Sequence, residues 1–314
     1  MEATYQSEPE KTTGNPIGMD RELKFAGSTE LDNGITVSVM QDTGDSLTYG
    51  NSQISFGNVG GLATIYVGSD SDPLDAIDDI TPSAYEEANG SGSGSYTTDF
   101  GSGMDGSMSI AYSNGDILGT GISVKYSYYP RLDGTTNNEK AASGTADETK
   151  DSAESINVGI PLSGVPGIGS TPLGGAKITL GYENSDSLAT DAQSKQGGTV
   201  AVVMPIGALK VGYQKKGYQA AGSSAAEAQD GFFKDDILGI AYAVNDEMAV
   251  SYNVYQSDRH LHTSGEIEQE TKAINVAYTV GGLTLAFQDA KTTNSGYALN
   301  TDNDTRTISI KTAF

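Results

Sequence analysis

Residues 305–314 read TRTISIKTAF, with Ile308, Ile310 and Phe314 on one side of an extended chain and Thr307, Ser309 and Lys311 on the other. Strict alternation predicts a β-strand with one apolar and one polar face. The same period recurs throughout. Leu23, Phe25, Thr29 and Leu31 alternate with Glu22, Lys24, Ser28 and Glu30; Asp32-Asn33-Gly34 then supplies a tight turn, and Ile35, Val37 and Val39 open the next strand. Further strands are expected around 53–56, 62–67, 108–112, 122–128, 156–160, 178–182, 200–204, 209–213, 238–244, 248–254, 274–280, 283–287 and 308–314. That makes about fifteen, each close to the roughly 9–11 residues that a tilted strand needs to cross a bilayer.

The connections alternate in length. Short turns are expected at 32–34, 58–61, 114–119, 205–207, 245–247 and 281–282, and long polar loops at 41–48, 69–106, 131–153, 184–197, 217–232, 257–270 and 290–304. Only 161–175 is longer than its place in the series predicts. Short turns at one end and long loops at the other are the arrangement of a transmembrane β-barrel, whereas a soluble sandwich has no reason to segregate them. Residues 6–20 read as one more long loop, so a strand should precede them, and Met1, Ala3 and Tyr5 alternate there. Closed barrels pair first and last strands and usually hold an even number, which gives about sixteen strands here. The first is expected to be truncated, part of a longer precursor, because no signal peptide pattern is present. Residues 1–5 should then lie beside 305–314.

Composition agrees with this reading. The chain has 314 residues, 36% hydrophobic, with a mean hydropathy of −0.34. No apolar run reaches the about 18 residues of a transmembrane helix, while a barrel tolerates a low average because only alternate residues face lipid. No linker divides the chain, so residues 1–314 form a single all-β domain. The absence of cysteine suits passage through an oxidising compartment without disulfides. A net charge of −23 argues against nucleic acid, whose phosphates call for basic patches.

Three segments carry a family resemblance: ELKFAGSTELDNGITV at 22–37, DDITPSAYEE at 78–87, and the last strand ending in Phe314. With them the chain resembles a Gram-negative general diffusion porin of the α-proteobacterial type. The resemblance implies a sixteen-stranded antiparallel barrel in the outer membrane, a homotrimer surrounded by outer-membrane lipids and lipopolysaccharide. It also implies that the third long loop, 69–106, folds into the lumen as a constriction, and that Phe314 is the signal read by the barrel-assembly machinery. The chain has no Trp, so Tyr must supply the aromatic girdles. Candidates are Tyr49, Tyr112, Tyr126, Tyr128, Tyr182, Tyr213, Tyr242, Tyr252 and Tyr278.

The loop 69–106 carries nine acids, among them Asp70, Asp72, Asp75, Asp78, Asp79, Glu86 and Glu87, and no Lys or Arg. Folded inward, such carboxylates attract cations and repel anions, and low-dielectric walls strengthen their field. Left outside, they are a solvated charge run. The glycine–serine stretch at 90–95 reads as a flexible section. Strand parity places Lys24, Lys125, Lys177, Lys210 and Lys311 on the polar face, since a lysine facing lipid near the midplane costs roughly 2–4 kcal/mol. A basic wall opposite an acidic loop sets a transverse field. Porins commonly cluster Arg there; Arg21 is the arginine available nearby.

Other chemistry is thin. His260 and His262 have no clustered third ligand and read as exposed loop histidines. Asp302 with Asp304, and Asp70 with Asp72, have the spacing of neighbouring calcium ligands without the full EF-hand pattern. A structural calcium is therefore the one ion considered; no metal site or cofactor is assigned. No nucleotide loop, catalytic triad or paired acid–base carboxylates stand out, so no catalysis is expected. The expected function is a passive channel for small hydrophilic solutes and ions with a cation preference. A substrate-specific porin with a binding groove and a soluble acidic β-rich adhesin are the alternatives.

Overall fold

The computed structural model describes residues 2–7, 16–20, 23–43, 49–69, 72–90, 104, 107–132, 152–186, 194–219, 232–261 and 265–312. Its strands are β1 (Glu2–Ser7), β2 (Ile17–Asp20), β3 (Leu23–Glu30), β4 (Thr36–Thr43), β5 (Tyr49–Val59), β6 (Ala63–Gly68), β7 (Ser109–Asn114), β8 (Ser123–Tyr129) and β9 (Ala153–Pro161). They continue as β10 (Lys177–Ser185), β11 (Lys195–Ile206), β12 (Leu209–Gln219), β13 (Phe232–Ala243), β14 (Met248–Leu261), β15 (Gly265–Val280), β16 (Leu283–Thr293) and β17 (Asn303–Thr312). From β3 to β17 each strand pairs antiparallel with the next along the chain.

β1 closes the sheet. It pairs with β17, Ala3 opposite Ile310 and Tyr5 opposite Ile308, and on its other side with β2, Thr4 opposite Gly18. The expected juxtaposition of the first and last segments is therefore present, reached through Ser7 and not only Tyr5. β2 pairs with β1 while β3 pairs with β4, so two short strands in succession share one crossing. Counted that way, the seventeen strands of the sheet make sixteen crossings. Joining the first and last strands through β1 is how a spanning sheet avoids presenting its end strands to lipid.

The two faces invert the logic of a soluble protein. On β16, Leu283, Leu285 and Phe287 are exposed on the outside while Ala286, Gln288 and Ala290 are buried inside. β17 repeats this, with Ile308 and Ile310 outside and Thr305, Thr307 and Ser309 buried. Hydroxyl and amide side chains fill the interior because they can hydrogen-bond one another there; on the outside nothing in a hydrocarbon layer would satisfy them.

Tyrosines mark both rims of the apolar band. Tyr112, Tyr128, Tyr182, Tyr213, Tyr242, Tyr252 and Tyr278 are exposed on the outer face. Toward the long loops, Tyr126 donates to Glu154 (3.1 Å) and Tyr213 to Asp236; toward the short turns, Tyr278 donates to Glu247 (3.1 Å). Each ring covers apolar wall while its hydroxyl reaches a carboxylate at the water boundary. Beyond the upper tyrosines the outer face becomes charged, with ion pairs Lys215–Asp236 (2.8 Å), Arg306–Asp289 (2.9 Å) and Lys291–Asp304 (3.7 Å).

This charged extension corrects the expected loops. Residues 257–270 are not a long loop: β14 runs to Leu261 and β15 starts at Gly265. His260 is a strand residue whose Nε2 lies 3.6 Å from Glu266; His262 falls outside the described residues. Part of 6–20 is likewise strand, as β2, and the 217–232 loop shrinks as β12 runs to Gln219. Asp304 ion-pairs with Lys291, and among the described residues no group of three or more potential ligands gathers to hold a metal.

Candidate functional site

The segment 72–90, between β6 and β7, lies against the polar inner face of the ring. A series of inward side chains on β9, β12, β14, β15 and β16 fixes it there. Ser155 on β9 donates to Asp72 Oδ1 (3.1 Å), and Asn157 to the Pro73 carbonyl (2.5 Å). Gln214 on β12 donates through Nε2 to the carbonyls of Ile77 (2.8 Å) and Asp78 (3.0 Å) and accepts from Ile80 N–H (3.1 Å). Asn253 on β14 donates to Pro82 O (3.0 Å), Asn275 on β15 to Glu86 O (2.9 Å), and Gln288 on β16 to Glu87 O (3.0 Å). Gln214, Asn253 and Asn275 are fully buried. An irregular segment inside a barrel must satisfy its backbone with side chains, and amides serve as donors with geometric precision.

Glycines make room for it. A Cβ on Gly212 or Gly239 would run into Pro82, and one on Gly181 would come within 2.6 Å of Ile77 and 2.9 Å of Leu74. The wall is flat where the loop is closest. Two apolar contacts complete the seat: Leu74 and Ile77 pack with Tyr218, Phe233 and Tyr297, and Ala88 packs with Ile237, Tyr255, Ala273 and Ala290.

The acids then sort by environment. Asp75 and Asp79 are exposed, and Asp78, Glu86 and Glu87 are half-buried. Asp72 is turned to the wall: its Oδ1 accepts from Leu74 N–H (2.9 Å) and from Ser155, while Oδ2 is buried without a partner. Burial pushes the Asp72 carboxyl above its ordinary pKa. Asp79 is pushed up by the surrounding protein and then by the neighbouring Glu87 charge, with Lys216 pulling the other way. Glu87 also rises, first through burial and further through Glu86 and Asp78. Asp70, Arg21 and Phe314 lie outside the described residues, as do 91–95 of the expected flexible section.

Of the five lysines expected on the polar face, Lys24, Lys125, Lys177 and Lys210 stand on the inner wall. Lys24, opposite Asp42 in the register, alternates with the outward Leu23 and Phe25. Lys125 on β8 lines a cavity of about 260 Å³ with Tyr66, Asp72 and Asp75, and a second of about 260 Å³ with Lys177. Lys210 on β12 lines a third, of about 310 Å³, beneath Ile80, Pro82 and Ser83. Among the described residues none of the four makes an ion pair, whereas the outer-face Lys215, Lys272 and Lys291 all do.

Several interior residues went unread in the sequence. Lys216 and Asp235 form a buried pair (3.8 Å) in which Asp235 also accepts from Tyr255 (2.8 Å) and Ser257 (2.5 Å). Ser257 hydrogen-bonds Tyr297 (2.6 Å), whose left-handed backbone (φ 57°) brings a loop between β16 and β17 into the same cluster. Arg259 lies 5.8 Å from the rings of both Phe233 and Tyr297, adding an arginine to the interior beyond the one sought near the N-terminus. The signal available was parity: each of Lys216, Asp235, Arg259 and the clamping amides falls on the polar side of its strand.

The whole chain superposes on solved porins. A porin structure matches with a TM-score of 0.64 at 13% identity, covering 100% of this chain and 98% of its own. A mutant of the Rh. blastica porin gives 0.61 at 16%, covering 100% and 97%. OmpT, an outer membrane protein of Vibrio cholerae in a trimer form, gives 0.65 at 11%, covering 100% and 96%. No curated protein sequence matches. The family model of the Gram-negative porin matches residues 1–298, and the chain therefore belongs to that family of passive outer-membrane channels.

Proposed function

We propose that the channel passes small hydrophilic solutes and ions, that the segment 69–106 is its constriction, and that it prefers cations. The observation carrying this reading is the series of side-chain donors from β9 to β16 that holds an acid-rich, base-free segment on the inner face. Asp75, Asp78 and Asp79 then bias the lumen toward cations, and the lysines of the inner wall supply the other side of a transverse field. Reversal potential across a planar bilayer under a KCl gradient tests it. A cation-selective sign is expected, weakening at high salt as the Debye length falls from about 10 Å at 0.1 M to about 3 Å at 1 M. An anion-selective sign would overturn the preference and leave the channel reading standing.

Assembly follows the same logic. A homotrimer is proposed by likeness to the trimer form of OmpT. The outward charges on β12 to β17, above the tyrosines, stand where headgroups and lipopolysaccharide would meet the wall. Phe314 is proposed as the residue read by the barrel-assembly machinery.

A further inference from the structure

Two segments of the chain dock on one row of the inner face. Across β12 to β15 the register sets Tyr218 beside Phe233, Phe233 beside Arg259, and Arg259 beside Ile267, a largely apolar row that includes one cation. Leu74 and Ile77 of the segment 72–90 share a buried cluster with Tyr218 and Phe233, and Tyr297, from the loop between β16 and β17, is buried in that same cluster. The Tyr297 ring lies 5.7 Å from that of Phe233, and Arg259 lies 5.8 Å from both.

The β16–β17 loop is bent so as to place this one side chain. Asn294, Gly296, Tyr297 and Asn300 all have left-handed backbone, with φ of 51°, 65°, 57° and 60°. For a tyrosine this conformation is strained, and it persists only where the surroundings impose it. Here the inner wall imposes it. Asn294 Nδ2 donates to the Glu268 carbonyl (2.9 Å), the Gly296 N–H to Gln269 Oε1 (2.9 Å), and the Tyr297 hydroxyl shares a hydrogen bond with Ser257 (2.6 Å). Leu299, two residues further on, is 66% exposed, so the loop is open at its tip and fixed at Tyr297.

We propose that Tyr297 is a positioning residue for the constriction: from the β16–β17 loop it pins Leu74 and Ile77 by way of Phe233 and Tyr218. The inference rests on 69–106 being the constriction. The amides of the wall bind the segment's backbone, whereas Tyr297 secures the side chains of its first turn, so an event at the β16–β17 loop reaches the pore.

The test uses the full chain, folded in detergent, with a nitroxide label on a single introduced cysteine, which is unique because the chain has none. Ala76→Cys, at an exposed position between Leu74 and Ile77, reports on the pinned turn, and Ala84→Cys on the part held by Ser251. Tyr297→Ala should cost the Ala76 probe its immobilised spectrum and leave the Ala84 probe unchanged. Tyr297→Phe, which keeps the ring and loses only the hydroxyl, should retain the immobilised spectrum at both. Phe233→Ala should loosen the Ala76 probe as Tyr297→Ala does, and the two together should do no more, since they act through one contact. An unchanged Ala76 probe in Tyr297→Ala overturns the proposal, as does equal loosening at Ala84, which would mark a general loss of structure. If Tyr297→Ala does not fold, Tyr297→Leu, which also loses the ring and the hydroxyl, is read in the same way. Single-channel KCl conductance tests the underlying reading separately: a loosened Ala76 probe with wild-type conductance would support the pin and count against 69–106 as the constriction.

Discussion

Pro82 sits directly on Gly212, so closely that a Cβ at the glycine would overlap the proline ring. The same proline covers Gly239 on the next strand. Side chains introduced here must push the loop off the wall, an overpacking effect of about 1–3 kcal/mol. Gly212→Leu should therefore change single-channel conductance while leaving the heat-modifiable gel mobility of the folded barrel intact. Unchanged conductance would mean that the loop does not set the width of the pore.

Gln214 makes three backbone contacts with the loop at once, to Ile77, Asp78 and Ile80. Gln214→Leu would strand those groups, at about 1–3 kcal/mol for each one left buried without a partner. The barrel's own ladder is untouched, so the loop should loosen before the strands do. We expect greater open-channel noise and closure at lower voltage than in the wild type. Asn275→Ala should act in the same direction at the Glu86 end. Quiet, wild-type traces from both variants would show the amides to be dispensable.

Burial holds the carboxyls of Asp72 and Glu87 above their ordinary pKa values, and the surrounding protein together with the Glu87 charge raises that of Asp79. A raised folded-state pKa means that the folded protein binds more protons than the unfolded chain. The stabilising contribution of the neutral form is thus present at low pH and is lost as pH rises through the folded-state pKa. Selectivity runs the other way. Cation preference should begin to fall on acidification while ordinary exposed carboxylates, titrating near about pH 4, are still charged. Reversal potentials measured from about pH 8 to about pH 4 check this, and Asp79→Asn should flatten the curve. A preference constant down to the ordinary carboxylate range would exclude these residues as its source.

Lys216 and Asp235 are buried together inside the barrel at 3.8 Å. Removing one partner of such a pair leaves an uncompensated charge and costs about 3–5 kcal/mol, while replacing both with uncharged groups is often neutral. Lys216→Met should lower the temperature at which the barrel loses its detergent-resistant form; adding Asp235→Asn should restore much of the loss. Additive losses in the double variant would show that the two side chains act independently.

Much of this architecture was readable because a barrel wall writes itself in a period of two. Leu283, Leu285 and Phe287 against Ala286, Gln288 and Ala290 is a pattern that no helix produces. The reading failed where the outer face stops being apolar. Above Tyr213 and Ile274 the outward residues become Lys215, Lys272 and Glu270, and strands continuing past the membrane look like polar loops. The loop's seat was harder for another reason. Asn157, Gln214, Asn253, Asn275 and Gln288 are single amides in separate strands, and only the closed register brings them to one segment. Lys216 and Asp235 hid in the same way, as charges next to what looked like a loop.

The seam between β1 and β17 sets Thr4 opposite Ser309. Facing residues in an antiparallel pair have Cα atoms roughly 4.5–5.5 Å apart, within the roughly 4.4–6.8 Å that a disulfide spans. The chain has no cysteine, so an introduced pair meets no competitor. Thr4→Cys with Ser309→Cys should cross-link within one chain under mild oxidation, seen as a linked peptide pair by mass spectrometry. Thr307 faces Gln6 instead, two residues along the ladder. Thr4→Cys with Thr307→Cys should accordingly link poorly, because a strand slipped by two residues is the alternative that keeps every side chain on its proper face. Efficient linking by the second pair and not the first would place the closing strand in a different register.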